Sequence, residues 1–237
     1  FYDMESGNTS FIDNIRDVES LSLSSNGETI AVYFTGGSFA IYSIEQKKAI
    51  FEYEHDSITG GLPMEFALSP NGKKVAVAID ESDKLKVTVI DYLTGEKKLL
   101  KTYHVSPNAV VYAIDLSFTV DAKSLMVTVF GRRQMGSFNV SEMVDLQSGV
   151  SDDLRASSDG SWGQPELLQN SGLIVSRGSE GVMAMTRFPF GNFTRMEGHN
   201  GRVLSLSMSN DGMMLASGSE DRTVRLWSTV TGKQLSV

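Results

Sequence analysis

Cysteine is absent from the 237-residue chain, which excludes a disulfide framework, a thiolate metal site and a cysteine nucleophile. That absence fits a reducing compartment. Histidine is scarce: His55, His104 and His199 stand far apart with no i, i+4 pair, so the spacing of a zinc site is missing. No apolar run approaches the roughly 18 residues that a membrane-crossing helix needs, and no signal peptide opens the chain. Basic charge is in deficit, with 21 Lys and Arg against 29 Asp and Glu and a formal net charge of −8. This argues against a general nucleic-acid or anionic-membrane surface but leaves room for a local patch, and Arg132-Arg133 is the one adjacent Arg pair. Phosphate-cradling loops are missing too. Gly36-Gly37 and Gly60-Gly61 precede neither a helical pattern nor a Lys-Ser/Thr pair and read as turns. Asp80-Glu81-Ser82-Asp83 lacks the spaced oxygen ligands of a calcium loop.

Helical periodicity is hard to find anywhere. Short runs alternate apolar with small or polar residues and stop at Gly, Asn or Asp, which is the pattern of strands and hairpins. The pattern repeats. A turn recurs as Ser24-Ser25-Asn26-Gly27, Ser69-Pro70-Asn71-Gly72, Thr119-Val120-Asp121-Ala122, Gln169-Asn170-Ser171-Gly172 and Ser209-Asn210-Asp211-Gly212, in steps of 45, 50, 50 and 40 residues. Asn-Gly and Asp-Gly supply the positive φ angles that tight hairpins require. One apolar run precedes each turn and a second follows it, as in Phe66 and Leu68 before Val75-Ala76-Val77.

A closing motif gives a second ruler. It reads Tyr2-Asp3 with Ser6-Gly7, Ile90-Asp91 with Thr94-Gly95, Val144-Asp145 with Ser148-Gly149, and Trp227-Ser228 with Thr231-Gly232; Tyr42-Ser43 and Thr186-Arg187 are degenerate members. Successive copies are 40 to 54 residues apart. Two rulers with one period mark a repeat architecture. Each unit offers three strands and a fourth after the Gly turn, and a four-stranded sheet cannot bury both its faces alone. Radial packing of such sheets, the β-propeller, solves that problem.

The unit from Gly198 to Lys233 carries Gly198-His199, an Asn-Asp-Gly turn, Ser217-Gly218-Ser219-Glu220-Asp221 and Leu226-Trp227. It resembles a repeat of the WD-repeat β-propeller family, and the other units resemble it in strand pattern and turn chemistry without the Gly-His pair or the Trp. The resemblance implies an all-β fold of four-stranded antiparallel blades over residues 1–237 as one propeller. The units are 17–60, 61–105, 106–160, 161–197 and 198–237, with the tail of a preceding blade at 1–16. About five blades and a partial one fall short of the seven that such propellers most often have, and Phe1 starts inside a motif. The expectation is therefore an incomplete seven-bladed propeller cut from a longer protein.

His199, Ser217 and Asp221 have the composition of a hydrolytic triad. The resemblance implies another role, in which His199, Ser217, Asp221 and Trp227 form a buried tetrad that holds the outer loop to the blade, and no G-x-S-x-G elbow supports the catalytic alternative. The sequence thus leads us to expect no catalytic residue, no metal and no cofactor. By the same resemblance, partners dock on Asn200, Arg202 and Glu220. Arg132 and Arg133, in the hairpin of the longest unit, offer a second surface, for an acidic partner. The expected function is a non-catalytic scaffold that binds proteins or peptides, without nucleic acid or membrane insertion, in the cytoplasm with the nucleus as second location. Two rivals stand beside it. Phe66 to Val77 and Val89 to Glu96 also resemble blades of prolyl-oligopeptidase and periplasmic translocation propellers, which would make the chain accessory to a catalytic module. Degenerate WD propellers also follow nucleotide-switched ATPase modules as sensors. Either would add domains in a parent chain.

Overall fold

The structure is a computed structural model that describes residues 12, 15–54, 62–81, 83–105, 110–133, 136–154, 162–168, 172–178, 181–187, 194–209 and 211–237. Among these residues all regular structure is β, in five four-stranded sheets whose strands pair in sequence order. Sheet 1 comprises β1 (Val18–Leu23), β2 (Thr29–Phe34), β3 (Phe39–Ser43) and β4 (Lys48–Tyr53). Sheet 2 comprises β5 (Leu62–Leu68), β6 (Lys74–Asp80), β7 (Lys84–Asp91) and β8 (Glu96–His104). Sheet 3 comprises β9 (Val110–Phe118), β10 (Ser124–Arg133), β11 (Gly136–Asp145) and β12 (Ser151–Asp153). Sheet 4 comprises β13 (Trp162–Leu168), β14 (Leu173–Gly178), β15 (Met183–Arg187) and β16 (Thr194–Met196). Sheet 5 comprises β17 (Val203–Met208), β18 (Met214–Ser219), β19 (Val224–Ser228) and β20 (Gln234–Ser236). These are blades of a β-propeller fold. Tyr2-Asp3, Ser6-Gly7, His55, Gly60-Gly61 and Gln169-Asn170-Ser171 lie outside the described residues.

The repeated turn is one hydrogen-bonded device in four copies. Ser24, Ser69, Thr119 and Ser209 each donate a hydroxyl to the side-chain oxygen two residues on (Asn26, Asn71, Asp121, Asp211) at 2.6–2.9 Å. Each of the same hydroxyl oxygens accepts the amide that opens the next strand (Thr29, Lys74, Ser124, Met214) at 2.9–3.0 Å. The fourth residue turns with positive φ in every copy, including Ala122 at 53°. In the closing turn, Gly95, Gly149 and Gly232 have positive φ, and Lys47 takes the same position in sheet 1 with φ 53°. The backbone thus keeps the device where the sequence has lost its glycine.

The described chain groups into two compact units, Phe1–Phe118 with Gly131–Ser137, and Thr119–Phe130 with Phe138–Val237. In the first, Ala31, Phe39 and Ile41 of sheet 1 pack on Phe66, Leu68, Val75, Val77 and Ile90 of sheet 2. Phe39 stacks on Tyr53 at 4.9 Å and runs nearly parallel to Phe66 at 6.3 Å; stacked rings add to the effect of their burial. In the second, Val175, Met183, Met185 and Met196 of sheet 4 pack on Leu206, Met208, Leu215 and Trp227 of sheet 5. Met126, Met143 and Leu154 pack on Leu167 and Ile174.

Successive turns touch in the first unit. A Cβ at Gly72 would run into Thr29 Oγ1 and lie 3.2 Å from Ser24 Cβ, whereas one at Gly27 would meet nothing within 4 Å. Both glycines have positive φ. Gly27→Ala should therefore cost only the conformational strain, about 1–2 kcal/mol, and Gly72→Ala distinctly more. Urea unfolding of the two variants separates the terms, and equal losses would count against the close approach of the turns.

Candidate functional site

The last sheet carries the one polar cluster buried between sheets that the sequence singles out. Ser217 on β18 and Trp227 on β19 are each 1% exposed, and His199, on the loop leading into β17, is buried. Strand alternation places them together: Ser217 lies opposite Arg225, and Leu215 opposite Trp227, on the face that meets sheet 4. Trp227 Nε1 donates to Ser217 Oγ at 2.8 Å. Ser217 Oγ lies 2.7 Å from His199 Nε2, and His199 Nδ1 lies 2.8 Å from Asp221 Oδ2. Every atom is satisfied in one direction only: indole N–H to hydroxyl, hydroxyl O–H to Nε2, and Nδ1–H to carboxylate.

Asp221 gathers the loop around itself. Its carboxylate accepts the Asn200 amide at 3.0 Å, the Thr223 hydroxyl at 2.7 Å and the Thr223 amide at 2.9 Å. Burial works against its charge, but the bonds from Thr223, the Asn200 amide and His199 outweigh burial and hold its carboxyl well below the usual range. Arg225 lies 3.9 Å from the same carboxylate and donates to Gln234 Oε1 at 2.5 Å. A Cβ at Gly198 would lie 2.8 Å from Arg225 Nη1 and 2.9 Å from Gln234 Oε1, so those two flexible side chains would have to shift to admit it. Thr223, Arg225 and Gln234 escaped the sequence reading, although Asp-x-Thr at Asp221 to Thr223 is a usable local signal, because a threonine two residues past an Asp can donate back to it.

The distances would serve a hydrolase, so access decides what this arrangement can do. A nucleophile must reach a substrate carbon, yet Ser217 is enclosed, its oxygen already accepts the indole N–H, and the His199 side chain is fully covered. The pattern is that of a satisfied buried network. In sheets 1 to 3 the residue five positions past the turn, where sheet 5 has Ser217, is a buried valine: Val32, Val77 and Val127.

Asn200, Arg202 and Glu220 are all exposed, on the loops that the network ties down. The Glu220 amide donates to the Arg202 carbonyl at 3.0 Å, and Ser219 Oγ donates to the Gly201 carbonyl at 2.9 Å. Arg132 is exposed at the end of β10 and Arg133 is its last residue. No group of three or more metal-ligating side chains occurs among the described residues, and no helix among them is long and apolar enough to cross a membrane.

Residues 191–228 match the family described as WD domain, G-beta repeat, and residues 16–114 match Lactonase, 7-bladed beta-propeller. Among curated proteins, the chain is 50% identical over 48 residues to a ribosome biogenesis protein erb1 of Botryotinia fuckeliana, 46% to its counterpart in Neosartorya fischeri and 50% to that in Coccidioides immitis. Each match covers 20% of this chain and 6% of the relative. Sheet topology, turn chemistry and the motif of the last sheet define a β-propeller fold whose last blade is of the WD type. The WD match covers most of the last sheet and the loop leading into it, and the chain spans only a small part of the length of the curated relatives it matches.

Two outcomes test the network. Ser217→Ala orphans the Trp227 indole and His199 Nε2, so it should destabilise the chain by about 1–3 kcal/mol in denaturant unfolding, and an unchanged midpoint would contradict the network. Asp221 has a depressed carboxyl pKa, so its contribution is present above the ordinary carboxylate range near pH 4 and is lost as pH falls below that range. The melting-temperature gap between wild type and Asp221→Asn should therefore be widest near neutrality and narrow with acidification. A gap independent of pH would rule out this assignment.

Proposed function

We propose that the chain is a non-catalytic protein-interaction platform whose last sheet presents a partner surface held in shape by the His199–Ser217–Asp221–Trp227 network. The observation that carries this reading is the enclosure of Ser217, whose hydroxyl is occupied inside the fold. A buried, fully paired hydroxyl holds structure; it does not attack a substrate. Loops on a rigid scaffold are the usual place for binding, and Asn200, Arg202 and Glu220 are exposed on those loops. Their backbones are fixed by Asp221 and by the Glu220–Arg202 bond, so little order is lost when a partner binds. Arg132 and Arg133 are proposed as a second surface, for an acidic partner.

The relatives are named for ribosome biogenesis. What we carry over from that name is a protein-binding role within a large assembly. Nuclear location then stands beside the cytoplasm as part of the proposal. Proteins or peptides are the proposed partners. The absence of a nucleic-acid partner also belongs to the proposal, on the strength of the −8 net charge.

The match of residues 16–114 to the lactonase family favours one second reading, in which the first two sheets descend from an enzymatic propeller. Steady hydrolysis of a simple lactone by the purified chain, lost on a substitution in sheets 1 or 2, would support that reading and remove the first.

A pull-down with wild type and an Asn200→Ala, Arg202→Ala, Glu220→Ala triple variant tests the partner surface. Partner recovery should fall while the melting temperature stays close to wild type, because the removed side chains are exposed. Unchanged recovery would refute the assignment of this surface.

A further inference from the structure

One buried cross-strand pair sets sheet 3 apart from sheet 2. The Leu146 amide donates to the Lys123 carbonyl at 2.9 Å, which sets the register of the β10–β11 hairpin. Five residues inward on each strand, from 123 to 128 and from 146 to 141, Thr128 comes opposite Ser141. The repeat gives the same answer. Six residues past the turn glycine on the second strand and four before the closing motif's Ser43 or Asp91 on the third, sheet 1 pairs Tyr33 with Phe39 and sheet 2 pairs Ala78 with Val87. Ala78 and Val87 are each 0% exposed and need no partner, whereas Thr128 and Ser141 bring two hydroxyls to that place at 1% and 2% exposure.

Neither hydroxyl bonds the protein. Among the described residues, Thr128 Oγ1 and Ser141 Oγ are fully covered and meet no hydrogen-bonding atom, and a buried hydroxyl without a bond costs free energy. Side chains directly opposed on one face of a sheet have Cβ atoms about 4.5–5.5 Å apart, so one small polar molecule can reach both oxygens. The pair points toward sheet 4. Met126 and Met143, two residues nearer the turns, pack on Leu167 and Ile174, and alternation gives Thr128 and Ser141 the same face. Ser176, two residues beyond Ile174 on β14 and also buried, stands at the matching level of sheet 4. All these segments belong to the second compact unit.

We propose that Thr128 and Ser141, with Ser176 as third partner, form a buried binding site for one water molecule between sheets 3 and 4. The surroundings select the ligand. Met126, Met143, Leu154, Leu167 and Ile174 make up the neighbouring cluster, and none of them can balance an ion, so the ligand is neutral. The space between two opposed side chains limits it to a very small molecule. A buried water makes about three hydrogen bonds to groups that otherwise lack them, and hydroxyls can both donate to it and accept from it. Sheet 5 satisfies its buried hydroxyl with side chains; sheet 3 does so with solvent, and the water links β10 and β11 to β14.

Urea unfolding of the full chain carrying Thr128→Val, Ser141→Ala or both, together with a wild-type crystal structure, tests the site. With the water bound, each single substitution strips it of a partner and should lower the unfolding midpoint. The double variant should lose less than the two single losses combined, because both substitutions act on one shared molecule. If the hydroxyls are orphans, removing either one relieves an unpaired buried group, and a midpoint that rises or stays in place overturns the proposal. Losses that simply add overturn it too, since they deny a shared ligand. The crystal structure should show one solvent oxygen within hydrogen-bond distance of both Thr128 Oγ1 and Ser141 Oγ. A direct bond between the two hydroxyls without that oxygen overturns the proposal even where the losses fail to add.

Discussion

A strand buried on one face tolerates no slip of register, because a shift by one residue sends every core side chain toward water. The turn with a hydroxyl at its first position and a positive-φ residue at its fourth meets that constraint. In four copies the Ser or Thr hydroxyl bonds both the Asn or Asp two residues on and the amide that starts the next strand. Pairing then begins at a fixed residue, with Leu23 opposite Ile30, Leu68 opposite Val75 and Met208 opposite Leu215. All the packing of one sheet on the next follows from those pairings.

Once register is set, each sheet must fill the position five residues past the turn. Val32, Val77 and Val127 fill it with apolar volume, which needs no partner. Sheet 5 places Ser217 there, and a buried hydroxyl in an apolar layer costs free energy unless it is hydrogen-bonded. Trp227, His199 and Asp221 supply that pairing, and in doing so they couple the layer between sheets to the loop at Asn200. The valines have no such reach. The polar solution gives a loop of defined shape where the apolar solution gives only a core, and that difference is the physical basis for the partner surface proposed on this sheet.

Much of the fold was legible because turns leave chemical marks. Ala122 replaces a glycine, yet its neighbours Thr119 and Asp121 betray the turn, and the structure gives it φ 53°. Lys47 bears a weaker mark: Tyr42-Ser43 is a degenerate closing motif, and only the backbone shows that the left-handed position persists without glycine. His199, Ser217, Asp221 and Trp227 could be picked out from a family motif, but Thr223, Arg225 and Gln234 could not. Their roles arise from strand pairing across three segments, which brings Arg225 beside Gln234 at 2.5 Å although nine residues separate them in sequence.

The functional account depends on Ser217 Oγ being used up inside the fold, and the tautomer of His199 reports on that directly. If the hydroxyl accepts the indole N–H and donates to Nε2, the His199 ring carries its proton on Nδ1, facing Asp221. Nitrogen-15 correlation spectra of the histidine-labelled chain at neutral pH should show a protonated Nδ1 and an unprotonated Nε2, alongside a Trp227 indole N–H protected from exchange. A proton on Nε2 with rapid exchange of the Trp227 indole would contradict the proposed scaffold role, because the serine would then be free of the network on which that role rests.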